Sequence, residues 1–156
     1  MPRPYVTLDV FTDRRFAGNQ LAVVLDGRGL SDADMQAITR EFNYAETTFV
    51  LPPDNPAHTA KVRIFTIGYE MPFAGHPTVG TAIALARARG LAGELKLELK
   101  AGLYPVRVEN EGGRWFAEFL SANIPGEHGP APDAGALERA LSLPEGAIDR
   151  GAFRGT

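Results

Sequence analysis

The sequence predicts an α+β fold, and three observations carry that prediction. Seven or eight segments alternate apolar and polar residues or run continuously apolar at strand length, separated by glycine, proline and asparagine. One stretch, 31–42, shows the single apolar stripe of a surface helix. Another, 79–88, is apolar on nearly every side, which a helix tolerates only when enclosed.

In order, residues 5–11 read as a first strand, with Val6, Leu8 and Val10 alternating against Thr7 and Asp9. Residues 16–19 read as a turn and 20–25 as a more continuously apolar strand. Ser31 is placed to cap a helix, with Asp34 three residues on as a short-armed capping-box partner. Met35, Ile38 and Phe42 then share one face, and Asn43-Tyr44 ends the helix. Residues 46–51 are rich in Thr, Phe and Val, as a strand is, and the proline-rich loop 52–56 stops them. Residues 59–66 alternate again, followed by a turn at 67–69.

Residues 73–81, Phe-Ala-Gly-His-Pro-Thr-Val-Gly-Thr, lead into the helix ending at Arg89. Gly75 and Pro77 punctuate its start, Pro suiting the first helical position, and Gly90 stops it. His76 therefore sits at the positive end of an enclosed helix, a ready place for an anion such as a carboxylate. Leu95, Leu97 and Leu99 alternate with Lys96, Glu98 and Lys100. Residues 104–109 and 114–120 read as partner strands joined by Gly112-Gly113. Residues 1–120 thus form one domain. The next fifteen are proline- and glycine-rich like a linker, and 136–143 suit a short amphipathic helix.

Bulk properties narrow the function. The 156 residues carry 16 Lys+Arg against 19 Asp+Glu, a net charge of −3, so no basic excess points to nucleic acid. No apolar run approaches the ~20 residues of a membrane-spanning helix. The first residues lack a signal-peptide apolar region, so a cytoplasmic location is expected. Cysteine is absent, which removes disulfides, thiolate catalysis and Cys-held metals. His58, His76 and His128 show no metal-ligand spacing, so no metal site is expected. Residues 75–81 superficially fit a phosphate-binding loop, but the Lys it requires is missing before Thr81. No serine lies in a nucleophile elbow.

Two groups remain as candidates for chemistry. Glu46 opens a strand beside Ala45, Phe49 and Val50, where a partly desolvated carboxylate can exchange protons near neutral pH. A solvated strand-end Glu is the more common outcome for such a local pattern. His76 is likewise either a structural hydrogen-bonder or a proton carrier. Asp9 and Asn19 read most simply as strand-end and turn residues.

Longer motifs shift that balance. Phe16-Ala17-Gly18-Asn19 with Leu21-Ala22-Val23-Val24, Met35-Gln36 with Glu41-Phe42-Asn43, Ala45 to Val50, Arg63-Ile64-Phe65-Thr66, and Pro72 to Thr81 follow one another in order. Together they resemble the PhzF family, named for a phenazine-biosynthesis isomerase. The resemblance implies the diaminopimelate-epimerase-like fold, in which each half is a curved, barrel-like sheet around one central helix. It also implies that Glu46 carries a proton between carbons of a small cyclic carboxylic acid, without a cofactor. Asn19, Gly75, His76 and Pro77 become the expected substrate-binding residues, the Gly75-His76 N–H groups holding negative charge. Relatives of this fold that use paired thiols are excluded as a mechanism by the missing cysteines.

Gln20 and Ile67 depart from the family pattern at positions where proline is usual, and altered loop shape is expected there. Family members are about twice this length, a second half completing the site, so residues 121–156 read as a linker and the start of a missing domain. The alternative is a stand-alone small-molecule binding domain. A homodimer is the expected assembly, a second copy covering the open face. No nucleic-acid or membrane partner is expected.

Overall fold

The computed structural model describes residues 2–121 and 132–149. The chain divides into two compact units, Met1–Leu120 and Ser121–Thr156. Most of the proline- and glycine-rich stretch, His128 and residues 150–156 lie outside the described residues.

The first unit holds eight strands and two helices: β1 (Tyr5–Val10), β2 (Asn19–Val24), α1 (Asp32–Phe42), β3 (Glu46–Leu51), β4 (Ala60–Phe65), β5 (Glu70–Met71), α2 (Gly75–Arg89), β6 (Gly93–Leu99), β7 (Gly102–Glu111) and β8 (Arg114–Phe119). They form one mixed sheet in the order β1-β2-β3-β4-β6-β7-β8, with β5 pairing on β4. Its hairpins are antiparallel, whereas β2 with β3 and β4 with β6 are parallel. Parallel neighbours require a crossover, and α1 and α2 supply the two.

The sheet curls around α2, which packs against β1, β2, β3, β7 and β8, the strands at both ends included. This bears out the curved sheet around a central helix. The principal core lies between them: Leu21, Val23, Val62, Ile64, Leu97 and Val106 meet Ala82, Leu85 and Ala86. Burying a side chain such as Leu85 fully stabilises the fold by about 1.5–3 kcal/mol. On the other face a smaller core joins α1 to the sheet through Met35, Val24, Phe49 and Phe65. The Phe49 and Phe65 rings meet edge to face at 5.5 Å.

Several boundaries differ from the sequence reading for definable reasons. α2 begins at Gly75, so Pro77 is its third residue rather than its first. A helix tolerates this because its first four N–H groups lack intrahelical acceptors. β1 stops at Val10 because Phe11 takes a left-handed φ of 62°. β2 starts inside the expected turn, at Asn19. β5 is a two-residue strand just after the turn expected at 67–69, where no element was predicted. The capping box is present, Ser31 Oγ accepting from Asp34 N at 3.1 Å and Ser31 N donating to Asp34 Oδ2 at 3.0 Å. Asn43 closes α1 in the left-handed conformation.

In the second unit the expected short helix is α3 (Ala134–Ala140), two residues earlier than predicted, because Asp133 caps it by accepting from Ala136 N at 2.8 Å.

Candidate functional site

Side chains alternate along β3. Glu46, Thr48 and Val50 face α2, while Thr47, Phe49 and Leu51 face the α1 side. Glu46 therefore points at the first turn of α2. Its Oε2 lies 3.2 Å from His76 Nε2, and the two side chains are only 16% and 8% exposed. Neither atom completes a hydrogen bond: both are buried and without a partner. They are close enough to interact, but the imidazole N–H is misaligned with the carboxylate oxygen.

The other side of the imidazole is satisfied. Asn19, the first residue of β2, places its side-chain amide 3.0 Å from His76 Nδ1. As that amide is oriented, its NH2 donates to Nδ1, which leaves the proton of the neutral ring on Nε2. The position of Asn19 depends on Gly18. A Cβ at Gly18 would lie 2.5 Å from the Val10 carbonyl oxygen, so no larger residue fits without moving the β1–β2 connection.

The N-terminus of α2 is uncapped by any side chain. The Gly75 and His76 N–H groups have no intrahelical acceptor, and the space where a Gly75 Cβ would lie is open. Pro77 is buried and contributes no donor. The segment leading to this turn is held from three sides. Arg63 grips Glu70 through two hydrogen bonds of 2.7 and 2.9 Å and reaches Asp32 at 2.7 Å. These bonds hold the Glu70 carboxyl below its ordinary range. The Pro72 carbonyl accepts from Ala101 N at 3.0 Å. The Phe73 ring stacks on Tyr104 with centroids 4.7 Å apart.

All five expected site residues thus meet at one end of the sheet: Glu46 and Asn19 from neighbouring parallel strands, Gly75, His76 and Pro77 from the helix crossing them. Sequence reasoning passed over Arg63 and Glu70 as determinants of this end. Their spacing of seven residues across a turn was the available signal. A groove of about 980 Å³ lies elsewhere, between the free edges of β1 and β8 over α2, and Glu46 and His76 do not line it. Among the described residues, no three His, Asp or Glu side chains cluster as metal ligands, and no helix is long and apolar enough to cross a membrane.

Known proteins are similar to this chain over most of its length. An uncharacterized isomerase of Mesorhizobium japonicum is 54% identical over 143 residues, 90% of this chain and 47% of that protein. The trans-2,3-dihydro-3-hydroxyanthranilate isomerase of Pseudomonas aeruginosa is 42% identical over 121 residues, 78% of this chain and 43% of that protein. A solved structure, a predicted epimerase from Pseudomonas aeruginosa, superposes with a TM-score of 0.75 at 38% identity, covering 91% of this chain and 51% of the other. The chain spans about half the length of the curated relatives it matches. The model of the phenazine biosynthesis-like protein family matches residues 8–152, and this chain belongs to that family.

Proposed function

We propose that this chain carries the proton-transfer half of a cofactor-independent isomerase acting on a small cyclic carboxylic acid. The observation that supports it best is the pairing of two buried polar atoms, Glu46 Oε2 and His76 Nε2, that face each other unsatisfied at 3.2 Å. Buried polar groups are normally hydrogen-bonded, so a facing pair left unsatisfied calls for a cause, and a ligand that completes the set supplies one.

In this reading the Glu46 carboxylate takes a proton from one ring carbon. The electron pair left behind delocalises through the adjacent double bond, and the neutral Glu46 returns the proton to another carbon. Atoms and charge are conserved, so the net change is an isomerisation. His76 Nε2–H hydrogen-bonds an oxygen of the substrate, with Asn19 holding the ring so that this nitrogen carries the proton. The Gly75 and His76 N–H groups, at the positive end of α2, receive the carboxylate. The substrate class is taken from the relative named trans-2,3-dihydro-3-hydroxyanthranilate isomerase, whose name describes a cyclic carboxylic acid.

The test is deuterium incorporation from heavy water into trans-2,3-dihydro-3-hydroxyanthranilate by this chain and by its Glu46→Gln variant. A general acid–base is worth about 10²–10⁴-fold in rate, so the variant loses at least about a hundredfold. Equal incorporation by both proteins, or none by the parent chain, refutes the proposal.

A further inference from the structure

Helix α2 is buried on nearly all sides, from His76 through Ala82 and again at Ala84, Leu85 and Ala86. Apolar contact is non-directional, so the force that encloses this helix does not choose its rotation or its position along its axis. A Cβ at Gly80 would lie 2.5 Å from Leu21 Cδ2, so only glycine fits where the helix meets β2, a steric restraint that acts on β1 and β2 and not on β3. A directional contact to β3 itself would hold His76 at 3.2 Å from Glu46.

One buried contact has the right geometry. Thr48 Oγ1 and Thr81 Oγ1 lie 2.8 Å apart, and both residues are fully buried. Thr48 stands two residues beyond Glu46 on the same face of β3, a span of about 6.6 Å. Thr81 stands five residues beyond His76 on α2, an axial span of about 7.5 Å. The two contacts therefore tie one strand to one helix at two heights, from positions about 140° apart around α2. Thr78, the other hydroxyl in this part of α2, donates to the Ala74 carbonyl within its own helix and links nothing. Thr47 faces the opposite side of the sheet.

We propose that Thr48 and Thr81 are positioning residues, a buried hydroxyl pair that sets the register of α2 on β3 and so aims His76 at Glu46. A shift of one residue would rotate α2 by about 100° and advance it by about 1.5 Å, which breaks the 2.8 Å contact and costs two desolvated hydroxyls their partner. The bearing on catalysis rests on the proton-transfer reading. The effect on His76 does not.

The chain has three histidines, so its imidazole Cε1–H cross-peaks are few, and the one lost in His76→Gln is that of His76. Thr48→Val and Thr81→Val each strand one buried hydroxyl; both lower the melting temperature and move the His76 cross-peak. The double variant places two apolar isosteres together and recovers most of the melting temperature, while the His76 cross-peak stays displaced. Thr81→Ser keeps the hydroxyl and keeps the cross-peak at its parent position. Deuterium incorporation by the double variant falls about tenfold or more, as misplacement of reacting groups does. A double variant with the parent His76 cross-peak shows mere core packing and overturns the inference. If the double variant does not fold, identical His76 positions in Thr81→Ser and Thr81→Val overturn it equally. Should Glu46→Gln leave exchange intact while the cross-peak follows the threonine hydroxyls, the isomerase reading falls and the positioning role stands.

Discussion

Glu98 meets His58 at 2.7 Å and Glu46 meets His76 at 3.2 Å, and the two pairs differ in what else the carboxylate touches. Glu98 also accepts from Asn55 N at 2.9 Å and Asp54 N at 2.7 Å, so both its oxygens are used. It closes the loop between β3 and β4 against β6, and those backbone bonds above all hold its carboxyl down at about 2. Glu46 has an oxygen in a dry place with nothing completing it. A carboxylate saturated by donors is committed to its charged form and to its loop. One left short of donors is open to a ligand that brings them. The same two residue types thus make a fastening in one place and a candidate site in the other.

The largest effect should come from exchanging the roles. Glu46→Gln removes the proposed base at the open pair and is expected to reduce deuterium exchange at least about a hundredfold while leaving the thermal melt near the parent value. Glu98→Gln is expected to do the reverse, lowering the melting temperature and sparing exchange. Rates and melts measured side by side would break the comparison if both substitutions acted on the same observable.

The next effect tests the framework around the open pair. Gly18→Ala drives a Cβ to 2.5 Å from the Val10 carbonyl and 2.6 Å from Thr12 Cγ2. Overpacking of this kind costs about 1–3 kcal/mol, and here it also displaces Asn19, the residue that orients His76. A denaturant titration gives the first number, and the His76 cross-peak reports the second. Parent-like values for both would show that Asn19 does not depend on this turn.

How much of this was legible in the sequence differs between the pairs. The apolar helix could be read from residues 79–88 alone, because enclosure leaves its mark on every face. Its start was read at Pro77 as the first helical position, whereas α2 begins two residues earlier at Gly75, because the first helical turn tolerates a proline at its third position as well. Glu46 and His76 were both candidates from their surroundings, but the ordinary structural reading outweighed the chemical one for each. They are thirty positions apart, and they meet only because β3 and α2 pack as they do; the family resemblance shifted the balance. Glu98 was read as an outward residue of an alternating strand. It lies on the expected side, but its carboxylate is covered by a loop 40 positions away, which no local pattern encodes. β5 was missed because two residues carry no periodicity.

The smallest effect is the closed pair's own pH dependence. Glu98 has a native pKa near 2 against 4.5 for the free side chain. The unfolded chain therefore takes up this proton at a higher pH than the native chain does. The stabilisation is fully present above about 4.5 and drains away as pH falls toward about 2. The groups facing Glu98 are His58 on its own loop and, beyond it, the Asp54–Lys61 ion pair at 2.7 Å. Protonating Glu98 should therefore loosen the loop at Asp54 and Asn55, whose N–H groups then face a neutral carboxyl that accepts more weakly. Amide exchange at these two positions is expected to quicken across this interval in the parent chain. In Glu98→Gln it should already be fast at neutral pH and stay level on acidification, apart from the ordinary chemical pH dependence of exchange. A loop that remained equally protected in both proteins would mean that its own turn, not the carboxylate beneath it, holds it in place.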